Sequence, residues 1–88
     1  MKVAVIHGAA EDFARTVALV EVADGTSDID ACEIAFTLTN SIDCGWWENE
    51  DVTPMFGGKT CRSTMMGDMV LVGTTKYICD MVGWKKVK

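Results

Sequence analysis

The side chains best suited to covalent or acid–base chemistry in this chain are one histidine, His7, four cysteines, Cys32, Cys44, Cys61 and Cys79, and the carboxylates Asp43, Glu48, Glu50, Asp51 and Asp68. A cysteine nucleophile needs a base or a positive neighbourhood to lower its pKa. Cys61, with Arg62 beside it and Lys59 close by, is the best placed, and His7 is the one imidazole that could serve it. General acid–base work needs a tuned group in a sheltered pocket, and spacing pairs none of these residues. Four widely spaced cysteines without a C-x-x-C pair read as reduced, packed thiols. A zinc site would have to gather ligands from four separate elements, so neither metal nor cofactor is expected. Gly58-Lys59-Thr60 has the flavour of a phosphate loop, yet it lacks the first glycine at the required spacing and precedes no helix. The chain reads as a non-enzyme, with a small enzyme using Cys61 or a carboxylate as an alternative.

Recognition chemistry is better represented. Trp46 and Trp47 are adjacent in an irregular segment, and Glu48, Glu50 and Asp51 follow them. Two neighbouring tryptophans are hard to bury together from such a segment. One is therefore expected at the surface, where a large amphipathic ring fills a partner's pocket and an acidic rim steers a basic partner. The bland alternative is a solvated loop. Six methionines, most of them in the second half, are expected to fill the core, with an adaptable contact surface as the alternative. Arg62, Ser63 and Thr64 offer donors that either bind an anion or lock the segment to Asp43 or Asp68. Gly67-Asp68 at the entry to an apolar strand is a turn signal: glycine permits a positive φ, and the aspartate accepts backbone hydrogen bonds.

The elements that must position these groups follow from periodicity. Val3, Val5 and Ile6 mark a strand over 2–7, and Val17, Val20 and Val22 a second over 16–23. Thr26-Ser27-Asp28 supplies N-cap candidates for a helix from 28 to about 39, with Asp28 and Asp30 at the positive end of its dipole. Ile29, Ala31, Cys32, Ile34, Ala35, Phe36 and Leu38 form its broad apolar arc, and Asn40 is its expected stop. Residues 41–61, punctuated by Gly45, Pro54, Gly57 and Gly58, read as a long irregular connection. Met69–Val72, Tyr77–Cys79 and Trp84–Val87 then form a three-stranded meander. The expectation is a single α+β domain over 1–88, a mainly antiparallel sheet of about five strands with one helix packed on one face.

The 88 residues suit one domain, and 49% apolar with 24% charged residues suit a folded globule. Eight basic against thirteen acidic residues give a formal charge of −5, which disfavours direct binding to nucleic acid or an anionic membrane. The apolar run Val3 to Ile6 is far too short for a signal-peptide core or a membrane span.

The order Ala35-Phe36, Thr39-Asn40-Ser41-Ile42-Asp43, Trp46-Trp47, Arg62-Ser63-Thr64, Gly67-Asp68, Tyr77 and Gly83-Trp84 with Val87 resembles the YodL-like family, small proteins of bacteria, phages and mobile elements. The resemblance covers about residues 31–88. It implies a cytoplasmic protein in a bacterial host that acts by contact with host or phage machinery, and it carries no catalytic mechanism. With the residues above, the expected function is a phage or mobile-element accessory protein that binds a host or phage protein, anchored by Trp46 and Trp47, and inhibits or redirects it. DNA mimicry is a sub-case. A self-associating structural protein, pairing through sheet edges, is the alternative.

Overall fold

The structure is a computed structural model that describes residues 1–40 and 45–87. Its elements are β1 (Lys2–His7), β2 (Arg15–Glu21), α1 (Asp28–Leu38), a 3-10 turn (Trp46–Glu48), β3 (Val52–Pro54), β4 (Met69–Val72), β5 (Thr75–Asp80) and β6 (Gly83–Lys86). All strands join one sheet in the order β3-β2-β1-β4-β5-β6, and every neighbouring pair is antiparallel. The fold is α+β, with one strand more than expected. The addition is β3, three residues inside the segment read as irregular, which pairs Val52 with Val20.

Alternation along the strands decides which side chains turn inward. Val3, Val5 and His7 on β1, Val20 on β2, Val70 and Val72 on β4, and Tyr77 on β5 are buried on the side of the sheet that α1 covers, with Trp46 and Thr64 against His7. A bulge opposite Val5 and Ile6 inserts Val17 into β2, and Val17 is buried too. Ser27 caps the helix by accepting from the Asp30 amide, and Asp28 and Asp30 occupy its first turn. The buried stripe is narrower than the arc read from the sequence. Ala31, Cys32 and Ala35 are covered and Phe36 and Leu38 half-buried, whereas Ile29 and Ile34 are exposed. The Tyr77 hydroxyl donates to Asp28 at 2.6 Å, and Trp84 Nε1 donates to Glu33 at 2.8 Å, tying β5 and β6 to the helix.

Candidate functional site

At one end of the sheet β1, β3 and β5 finish and β2, β4 and β6 begin. The residues that the sequence marks for chemistry converge there. The centre is Asp68, wholly buried at the start of β4. Its Oδ1 accepts from the amides of Gly8 (3.0 Å) and Ala9 (3.1 Å), and its Oδ2 from the amide of Met65 (2.8 Å). Gly67 makes this turn possible, with φ at +95° and a Cβ that would stand 2.9 Å from that of Ala9. Arg62 adds two bonds to the same carboxylate, Nη1 to Oδ2 at 2.7 Å and Nη2 to Oδ1 at 2.9 Å. The other edge of the guanidinium holds Glu11 through Nε (3.0 Å) and Nη2 (2.7 Å). One arginine thus ties the loop after β1 to the segment before β4 through two forked pairs. Burial by itself would push the Asp68 carboxyl up, but Arg62 and the three amides outweigh it and hold it at about 2. Bonding to Arg62 likewise holds Glu11 below the usual range.

His7 lies beside this lock. Its Nε2 is 2.9 Å from Thr64 Oγ1 and 3.8 Å from Asp68 Oδ2. Thr64 Oγ1 is 2.7 Å from Thr39 Oγ1, which bonds the Ala35 carbonyl at the end of α1 at 2.7 Å. On its other side, His7 Nδ1 lies 3.7 Å from Cys61 Sγ. Thiol, imidazole and carboxylate therefore stand in line, the order used in cysteine nucleophiles. The electrostatics work against ionisation. Burial lowers the His7 pKa and raises that of Cys61, with Arg62 opposing the latter, so the pair rests as neutral imidazole and thiol.

Trp46 requires a correction. At 1% exposure it is among the most buried side chains, and its Nε1 donates to the Arg62 carbonyl at 3.1 Å. It cannot enter a partner's pocket. Adjacent tryptophans are accommodated because the 3-10 turn lets Trp46 point into the core while Trp47, half-buried, folds back over Gly45, where a Cβ would strike its ring. Trp46, Trp47 and Phe56 meet edge-on with ring centroids 5.5 Å apart. Glu48, Glu50 and Asp51 are exposed, and Ser63 is half-buried. Asp43 and Cys44 lie outside the described residues.

The methionines also depart from the expectation of core filling. Met55, Met65, Met66 and Met81 are exposed. They lie in the turns at the Asp68 end of the sheet, or at the end of β3 facing it, together with Phe13 (78% exposed) and Val82 (89%). Phe13 and Val82 are large apolar residues at loop positions, a signal the sequence carries, whereas no local signal marks Glu11 as the partner of Arg62.

Cys32, Cys61 and Cys79 carry free thiols. Among the described residues no group of three or more His, Cys, Asp or Glu side chains could hold a metal ion, and no helix is long and apolar enough to cross a membrane. A groove of 410 Å³ lies between α1 and the β3 approach, lined by Glu33, Ile34, Thr37, Leu38 and Asp51, so it does not include Cys61, His7 or Asp68. Set against protein-family models, curated proteins and solved structures, the chain matches none.

Proposed function

We propose that this chain is a non-enzymatic accessory protein that works by docking the Asp68 end of its sheet on another protein. The observation that carries the reading is the coincidence of two features at that end. Large apolar side chains, among them Phe13, Met66 (55% exposed) and Met81 (83%), stand in solvent, and the loops bearing Phe13 and Met66 are pinned by Arg62, Glu11 and Asp68. Exposed apolar groups cost solubility and mark contact surfaces. Pinning their loops beforehand reduces the ordering cost of binding, and thioether side chains adapt to the surface they meet. A charge of −5 favours encounter with a basic partner.

The bacterial, phage or mobile-element setting rests on the motif order of residues 31–88 that resembles the YodL-like family. In that setting the partner is a host or phage protein whose activity is inhibited or redirected. DNA mimicry is a sub-case of partner binding that would use a different surface, since Glu48, Glu50 and Asp51 lead into β3, which starts at the end of the sheet opposite Asp68. The test is affinity capture from bacterial lysate with the wild-type chain and with Phe13→Ser/Met66→Ser, after circular dichroism has established equal folding. Specific proteins held by the wild type and released by the double variant support the reading. Identical proteins on both, or none on either, overturn it.

A thiol enzyme is the second reading, favoured by the 3.7 Å approach of Cys61 Sγ to His7 Nδ1. It requires an ionised pair, which a pH profile of Cys61 alkylation detects.

A further inference from the structure

The helix covers one side of the sheet only. On the other side Ala4 and Ile6 of β1, Leu19 of β2, Met69 and Leu71 of β4 and Ile78 of β5 form a half-exposed apolar field. They lie in two cross-strand rows. One runs Thr53, Leu19, Ala4, Leu71, Lys76, and the other runs Thr16, Ile6, Met69, Ile78, Lys85. No helix or strand among the described residues lies over them. A sheet with an apolar face of this kind is half of a sandwich.

The charges at its margins indicate what completes it. Lys76 is exposed at the β5 margin and has no ion-pair partner among the described residues. Glu21 is exposed at the β2 margin, on the same face as Leu19 two residues before it. Its carboxylate also lies 2.8 Å from the Met1 ammonium. The sheet centre falls between β1 and β4, so β2 and β5 are equidistant from it. A two-fold axis laid parallel to the strands at that centre stacks β5 of one copy over β2 of the other, and β1 over β4. Ala4 and Ile6 then meet Leu71 and Met69, and each Lys76 stands within about 7 Å along the strand of the other copy's Glu21, inside the reach of a lysine. An axis across the strands would instead stack β5 on β5 and bring the Lys76 and Lys85 margins together.

We infer that this face is an interface with a second copy of the chain, two sheets packed face to face about an axis parallel to their strands, with Lys76 of each opposite Glu21 of the other. The interface is isologous and closes on itself as a dimer. It leaves the Phe13 and Met66 end free, so it stands independently of the docking reading.

Sedimentation equilibrium between about 1 µM and 1 mM tests it, with circular dichroism on each variant. The expected result is a concentration-dependent rise from 9.6 kDa to twice that mass. Leu71→Asp should raise the dissociation constant at least about tenfold, because it buries an unpaired charge, while Phe13→Ser leaves it unchanged. Lys76→Glu and Glu21→Lys should each weaken the dimer by about three- to tenfold, and their combination should restore it. These two touch exposed side chains and remain decisive if Leu71→Asp fails to fold. A 9.6 kDa mass throughout, a dimer indifferent to Leu71→Asp, or a charge swap without recovery overturns the inference.

Discussion

Arg62 and Asp68, six residues apart in an irregular stretch, face each other through two hydrogen bonds of 2.7 and 2.9 Å, and the carboxylate has no exposed surface. Removing it would leave three amides, those of Gly8, Ala9 and Met65, without this acceptor, and Arg62 with only Glu11 and the Ser63 carbonyl. Asp68→Ala should therefore cost about 3–5 kcal/mol in urea unfolding, much of what a chain of this size has. Glu11→Gln, at the exposed edge of the same arginine, should cost about 1 kcal/mol or less. Equal losses from the two would refute a buried lock.

Acid should lower the stability of the protein over two separate pH ranges. His7 is held below its ordinary 6.5 by burial, so the unfolded chain binds its proton first, and stability present above pH 6.5 starts to fall below it. Asp68 is depressed from 3.8 to about 2. The stability it contributes is complete above pH 3.8 and is lost as pH falls toward 2, roughly 2 kcal/mol in all. Urea midpoints measured from pH 8 to pH 2.5 check both, and Thr64→Val and Asp68→Asn identify which stage is which.

Trp46 and Phe13 should separate folding from contact. Trp46→Ala opens a cavity and frees the part-buried Arg62 carbonyl, a loss of about 3–5 kcal/mol. Phe13→Ser should leave the thermal midpoint almost unmoved, within about 0.5 kcal/mol. If Phe13→Ser destabilised as strongly as Trp46→Ala, the exposed ring would be part of the fold.

Cys61 alkylation by iodoacetamide should be slower at pH 7 than that of an unstructured peptide thiol, since burial raises its pKa. The rate should rise with pH as one thiol ionisation. A fast reaction with a plateau near neutrality would mean a thiolate–imidazolium pair, and weight would pass to the thiol-enzyme reading.

Strands with a clear alternation were legible. The inward set Val3, Val5 and His7 repeats every second residue, and the meander β4-β5-β6 turns at Gly73-Thr74 and at Met81-Val82, just before Gly83. β3 was not legible, since three residues ending at Pro54 carry too little periodicity to stand out from the glycines around them. The buried stripe of the helix is narrower than its apolar arc because the period gives the direction of that arc but not how much of it the sheet can reach. Adjacency alone makes Trp46 and Trp47 look incompatible with joint packing, and the space that Gly45 leaves for the Trp47 ring removes that conflict. The lock was half legible. The Gly67-Asp68 turn is local chemistry, whereas Glu11 reaches Arg62 across 51 positions, a distance at which no spacing rule applies.

The strand order also bears on how the chain assembles. The β1–β2 hairpin and the β4-β5-β6 meander each close over short loops, but the sheet is whole only when β1 meets β4, a seam of three register pairs between residues more than sixty positions apart. Closing so long a loop is entropically costly, and non-local pairing of this kind slows folding. Because β1 is synthesised first, its free edge must wait unpaired through the emergence of everything up to Leu71. The amides of Gly8 and Ala9, which later receive Asp68, stand at the end of that waiting edge. The same carboxylate that holds the finished fold is therefore also what secures the seam once the two halves have met.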